Sequence, residues 1–145
     1  RLDIAQAAAQ QLKEVGIDCT VEVPTEVDWG GQMAYLIGWG SPFDADDHTY
    51  KVFGTDKGAN YSSYSNALVD QYLIEARESA DPAVRAEAYD KFQEELAKDP
   101  AFTFICYIDA NYVANSSIQG ISADTVMGHH GVGIFWNVAD WTIGN

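Results

Sequence analysis

The densest group of chemically capable side chains is Asp44, Asp46, Asp47 and His48, with His129–His130 as a second set of donors. Carboxylates and imidazoles in this mix can hold a divalent cation. On that reading Asp44, Asp46, His48 and His129 would serve a metal-dependent hydrolase or a metal sensor. The spacing argues against it. Adjacent histidines in an extended chain point to opposite faces. Asp-Ala-Asp-Asp also lacks the glycine and terminal glutamate of a calcium loop. The competing expectation is a solvated loop whose aspartates cap a following helical turn. Nucleophilic catalysis needs a serine or cysteine beside a base and an orienting group. No Gly-x-Ser-x-Gly elbow occurs, and neither cysteine lies in a polar, electropositive stretch. A phosphate-gripping Gly-x-x-x-x-Gly-Lys pattern is absent. Gly128–Gly133 is glycine-rich but does not join a strand to a helix. The expectation is a non-enzyme with no catalytic residues, no cofactor and no metal ligated directly by the protein.

A different signal comes from Trp39. It lies between Gly38 and Gly40, straight after the apolar run Met33–Ile37, and Ser41, Pro42, Phe43 and Asp44 follow. Flanking glycines let backbone and ring come close to a ligand. Open α/β sheets collect ligands at the carboxyl ends of strands. Trp39, Gly40, Ser41, Phe43 and Asp44 are therefore the candidate ligand-binding residues. The alternative is a tryptophan that fills a hole beside the sheet. Tyr61 and Tyr64 lie in a polar loop and are expected to pack, and Trp29, Trp136 and Trp141 are assigned to core or interface.

The elements that must position this segment follow from periodicity. Ala5, Ala8, Ala9 and Leu12 recur at helical spacing over 2–15, and Gly16 suits the helix end. Ile17, Cys19, Val21 and Val23 alternate with polar residues, a half-buried strand ended by Pro24. Met33–Ile37 and Phe102–Ile108 are continuous apolar runs, predicted as strands buried on both faces, with 112–114 as a neighbour of the second. Residues 45–53 are predicted as a loop or short helix and 55–65 as loop. Ser65 is predicted to cap a helix over 66–79 with Leu68, Val69, Tyr72, Leu73 and Ala76 inward. Asp81-Pro82 starts another helix that buries Val84, Ala88, Phe92 and Leu96 and stops before Pro100. The tail from Ile121 is predicted as loops with one or two strands. Helix, strand, strand, helix, helix, strand, strand is an α/β or α+β plan.

Composition bounds the rest. The 145 residues, 47% of them hydrophobic, suffice for a single domain. A formal net charge of −14 repels polyanions, so nucleic acid and anionic membrane are poor partners. No apolar run approaches the roughly 20 residues that span a bilayer, and no export signal opens the chain. Arg1 as first residue suggests a segment of something longer. Cys19 and Cys106 are expected as buried small hydrophobes, with a disulfide between strands as the alternative.

Four segments, taken in order, resemble the peptide/nickel-type (family 5) solute-binding proteins of ABC importers. They are Ile4–Ile17; Gly38–Asp44; Asn60–Asn66 with Val69-Asp70; and Asp81–Arg85, leading through Tyr89 and Glu94–Leu96 to Phe102. The resemblance implies an α/β lobe of the periplasmic-binding-protein type II kind, a mixed sheet flanked by helices. Residues 1–145 would be one domain, the later part of the second lobe. It further implies a monomeric, extracytoplasmic, non-catalytic component, often lipid-anchored, that captures a small peptide or related solute for permease subunits. Pro42 stands where peptide-binding members carry an acid for the peptide's amino group. Trp-Gly-Ser-Pro-Phe-Asp is closer to the Trp-Gly-Ala-Pro-Tyr-Asp of nickel-complex binders, whose tryptophan and tyrosine line the pocket. Those positions map to Trp39 and Phe43, the latter without a phenolic hydroxyl. Asp44 could serve a cationic or amine-bearing solute. The stretch between Val23 and Met33 is shorter than the family's, which suggests a deletion or a join near Gly30-Gly31.

Overall fold

A computed structural model describes residues 1–29, 31–40, 44–109, 111–122 and 133–144. The chain divides into two compact units, Arg1–Gly38 and Trp39–Asn145.

In the first unit, helix α1 (Leu2–Glu14) forms where alanine and leucine propensity and the apolar spacing predict it. Asp3 in its first turn and Lys13 in its last complement the helix dipole. The helix ends as its sequence requires. Gly16 turns to φ 87°, a conformation costly for any residue with a Cβ. The Gly16 amide then donates to the Lys13 carbonyl at 3.1 Å and the Ile17 amide to the Leu12 carbonyl at 3.0 Å. This is the Schellman arrangement. None of α1's residues is buried within the described structure. The short stretch before Met33 is a built turn: the Tyr35 hydroxyl donates to the Asp28 carbonyl at 2.7 Å and accepts from the Gln32 amide at 3.1 Å. The Trp29 and Tyr35 rings meet at 5.4 Å.

The second unit is a three-helix packing of α2 (Ala45–Phe53), α3 (Ala67–Glu78) and α4 (Pro82–Lys98). Val69, Leu73 and Ala76 form the buried stripe of α3, and Ala88, Phe92 and Leu96 that of α4. Both stripes have the period of a helix face. Val69, Leu73, Phe92 and Leu96 make one cluster, which Phe53, Tyr64 and Tyr72 help to cover. Phe53 meets Phe92 edge-on at 5.4 Å and Phe102 at 5.6 Å. Two details correct the sequence expectation. Asn66, not Ser65, caps α3, its side chain accepting from the amides of Leu68 and Val69 at 3.0 and 3.3 Å. Leu68 and Val84 face outward, because the contact stripe on each helix is narrower than the apolar content suggests. Asp81 caps α4 as expected, accepting from the Ala83 amide at 2.8 Å, with Pro82 in the first turn.

The predicted strands fare differently. Residues 17–23, 33–37, 102–108 and 112–114 are not helical, yet none joins a ladder among the described residues. Met33, Tyr107 and Val113 are fully exposed, and Phe104, Ile105 and Ile108 largely so. Cys19 and Cys106, expected to be buried, are exposed free thiols. The physical reason is that a strand is not a local structure. Its amide and carbonyl groups need a neighbour, and its side chains need a covering layer. Among the described residues the one sheet is the antiparallel pair β1 (Ile118–Gln119) and β2 (Thr142–Ile143), with Ile118 opposite Ile143. A 3-10 segment, Gly133–Asp140, kinks at Asn137. Asn137 holds that corner, donating to the Gly120 carbonyl at 2.8 Å and accepting from the Trp141 indole at 2.9 Å.

Candidate functional site

The site is built where α2 and the loop over 54–66 present side chains to Trp39. Its local logic starts with Asn60. This side chain donates to the carbonyls of Gly54 at 3.0 Å and Tyr64 at 2.7 Å. Its oxygen accepts from the Tyr64 amide at 3.0 Å and the Ser62 hydroxyl at 3.2 Å. One amide thus replaces the backbone partners that a loop lacks. The loop is fastened at its ends as well. Asp70 accepts from the Thr55 amide at 2.8 Å, and the Tyr64 hydroxyl donates to the Asp99 carbonyl at 2.9 Å. Burial, with the Asp99 carboxylate second, raises the Tyr64 phenol above its ordinary range, so it stays a donor.

This scaffold places the Tyr61 ring parallel to the Trp39 indole, with centroids 6.3 Å apart and planes 9° from parallel. The His48 ring of α2 also meets the indole, with centroids 5.6 Å apart and planes at 55°. Trp39 keeps 38% of its surface accessible and Tyr61 36%. The indole is therefore not sealed into the core, and Gly40 beside it is half-buried. His48 Nδ1 is buried with no hydrogen-bond partner, an unusual state for an imidazole nitrogen. Ser41, Pro42 and Phe43 lie outside the described residues, as do His129 and His130.

Asp44 is placed by charge. Its carboxylate accepts the Asp46 amide at 2.8 Å and so caps α2. Arg85 of α4 donates to both of its oxygens at 2.7 and 2.8 Å. These contacts, the Asp46 amide first and Arg85 second, hold the Asp44 carboxyl below its ordinary range. The Asp44 carboxylate thus already pairs with a cation of the protein's own, while its side chain stays largely exposed. Asp46 pairs with Arg77 at 3.2 Å and Asp47 with Lys51 at 3.1 Å. The acidic cluster is thus an α2 N-terminus with each carboxylate assigned a cation. Among the described residues no group of three or more His, Cys, Asp or Glu side chains could hold a metal ion. Asp44, Asp46 and His48 form no such group, and His129, the fourth residue of the hydrolase alternative, lies outside the described residues.

A shallow cleft of about 360 Å³ runs beside this cluster, lined by Asp44, Asp46, Asp47, Tyr50, Lys51 and Arg77. Arg77 lies over the Tyr50 ring at 3.9 Å and Lys57 at 4.9 Å. The lining is self-paired, and only Asp46 Oδ1 among its buried oxygens lacks a partner.

The sequence motif singles out Trp39 as a candidate, and the structure sets Tyr61 and His48 against it, which the sequence did not indicate. Asn60 and Tyr61 stand in one of the four family-like segments, Asn60–Asn66. What the sequence lacked was the pairing of that loop with the tryptophan.

No family model matches the chain. It is 36% identical over 129 residues to Protein XP55 of Streptomyces lividans, covering 84% of this chain and 24% of that protein. It is 25% identical over 155 aligned positions to the oligopeptide-binding protein AppA of Bacillus subtilis (strain 168), covering 97% of this chain and 26% of that protein. The crystal structure of NikZ from Campylobacter jejuni in complex with Ni(L-His) superposes with a TM-score of 0.83 and 32% identity. That superposition covers 98% of this chain and 30% of NikZ. A score of this size supports a lobe of the periplasmic-binding-protein kind. The chain spans between 24% and 30% of the length of these three proteins. These likenesses support a fragment of a peptide- and nickel-type (family 5) solute-binding protein, of whose length the chain spans a part.

Proposed function

We propose that the chain is part of the non-catalytic substrate-binding component of an ABC importer, the later portion of a second lobe acting as one domain. It presents an aromatic wall to a small solute. Trp39 and Gly40 form the wall, with Tyr61 and His48 beside them. Ser41 and Phe43 join it on the sequence motif alone. Permease subunits are the partners, and the location is extracytoplasmic. Among the described residues no helix is long and apolar enough to cross a membrane. The observation that carries the reading is the half-open Trp39 indole lying parallel to Tyr61. Paired, partly exposed aromatic faces supply contact area with little side-chain entropy to lose. A binding protein needs such a surface and no activated nucleophile.

The lead solute is a small peptide, as AppA's name states for that protein. A metal chelate is the second reading, and one observation favours it. Asp44, the acid nearest the tryptophan motif, is already engaged by Arg85 and by its own helix, which weakens it as a partner for a peptide amine. NikZ, in complex with Ni(L-His), has the same lobe fold.

Titration with short peptides and with nickel–histidine, followed by tryptophan fluorescence, separates the two. Binding should weaken in Trp39→Ala and in Tyr61→Ala. Failure of every solute to change the emission, or a response unaltered by Trp39→Ala, removes the proposal.

A further inference from the structure

Two charged residues stand behind the wall: Asp44, five positions after Trp39, and Arg85, distant in sequence. We infer that Arg85 and Asp44 are a positioning pair for Trp39: by fixing the N-terminus of α2 they set where His48 meets the indole. This deepens the binding reading above and rests on it for its consequence in affinity, though not for the geometry.

Arg85 bridges three helices with one guanidinium. Its Nη2 donates to both oxygens of Asp44, at 2.7 and 2.8 Å, and its Nη1 donates to the Ala76 carbonyl at 3.0 Å. Ala76 lies in the last turn of α3, where carbonyls have no partner inside their own helix. Asp44 in turn caps α2 through the Asp46 amide. The next acid, Asp46, reaches Arg77 of α3 at 3.2 Å. The N-terminal half of α2 is therefore tied by ion pairs to α3 and α4. The buried anchor of α2, Val52, lies at the other end of the helix. His48 stands between the two attachments and contacts Trp39 at 5.6 Å. If the tie at Asp44 is cut, α2 pivots about its Val52 end and the imidazole moves against the indole. A lysine at position 85 could not replace the arginine. An ammonium is a point charge and cannot span a carboxylate and a carbonyl with one planar fork.

The test separates position from mere stability. Asp44→Ser keeps the helix cap, since serine caps as well as aspartate, but is too short for Arg85. Arg85→Met removes the fork, and Arg85→Lys keeps only the charge. Lys91→Met is the control, because it breaks an exposed ion pair of 2.7 Å with Glu87, within α4 itself. The ligand-free readout is the ¹⁵N-resolved indole resonance of Trp39, assigned by its loss in Trp39→Phe. Asp44→Ser and Arg85→Met should each shift it, the double variant no further than the larger single shift. Arg85→Lys should fall between, and Lys91→Met should leave it in place. Affinity for whichever of short peptide or nickel–histidine binds should fall about threefold or more in the same two variants, as the competent population shrinks. An indole resonance unmoved in Asp44→Ser, or moved equally by Lys91→Met, overturns the inference. If Arg85→Met does not fold, Asp44→Ser decides alone. A shifted indole with no solute bound even by the unaltered protein would sink the binding reading and leave the positioning pair standing.

Discussion

Replacing Asn60 should unfasten the loop that carries Tyr61, and the cost follows from its hydrogen bonds. Three of them are partly buried: two donated to the Gly54 and Tyr64 carbonyls and one accepted from the Tyr64 amide. A net value of about 1 kcal/mol for each gives roughly 3 kcal/mol for Asn60→Ala. Asn60→Asp is the sharper variant. It keeps the acceptor facing the Tyr64 amide but turns both donated bonds into an oxygen facing an oxygen. Its cost should be at least the roughly 2 kcal/mol of those two bonds. If the loop opens together with the three helices, a change of this size lowers the melting midpoint by about 8–16 °C, at about 4–8 °C per kcal/mol for a unit of this size. If the loop opens alone, the midpoint barely moves, and the Trp39–Tyr61 contact is lost instead. Far-UV circular dichroism reports the first outcome and tryptophan emission the second. Asn60→Asp with both signals unchanged would refute the claim that this one side chain organises the loop.

The helix register makes a second prediction. Leu73 is 1% accessible and its neighbour Ile74 44%. Leu73→Ala should therefore cost about 3–5 kcal/mol and Ile74→Ala about 1 kcal/mol or less in urea unfolding. Equal costs would mean that α3 is rotated about its axis. The third prediction concerns acid. Asp44's carboxyl is depressed in the folded protein, so in mild acid the unfolded chain takes up a proton at this position before the folded one does. The stability Asp44 contributes is thus present above about pH 4 and lost as pH falls through the depressed value. The stability difference between the protein and Asp44→Ser, measured from pH 6 downward, should close below about pH 4. A difference that stays constant through that window would show that the Arg85 pairing does not stabilise the fold.

Much of the helical framework was legible because its signals are local. Gly16 ends α1 by a backbone conformation that the residue itself permits. Asp81-Pro82 starts α4 within one turn, and the spacing of Val69, Leu73 and Ala76 marks a buried face without reference to any partner. The glycine-flanked Trp39 stands out as a candidate for the same local reason. Capping, glycine dihedrals and face periodicity depend on neighbours a few residues away, and a sequence states those directly.

Only the tertiary structure decided what meets what. Arg85 finds Asp44 across three helices, and Tyr61 comes to lie parallel to Trp39 because Asn60 closes its loop. The apolar runs 33–37 and 102–108 give the converse lesson. Their composition announced strands, but a ladder needs a second chain segment at hydrogen-bonding distance, which composition does not name. Pairings between distant residues depend on which loops close and at what angle helices pack. That information belongs to the assembled chain and to no single stretch of it.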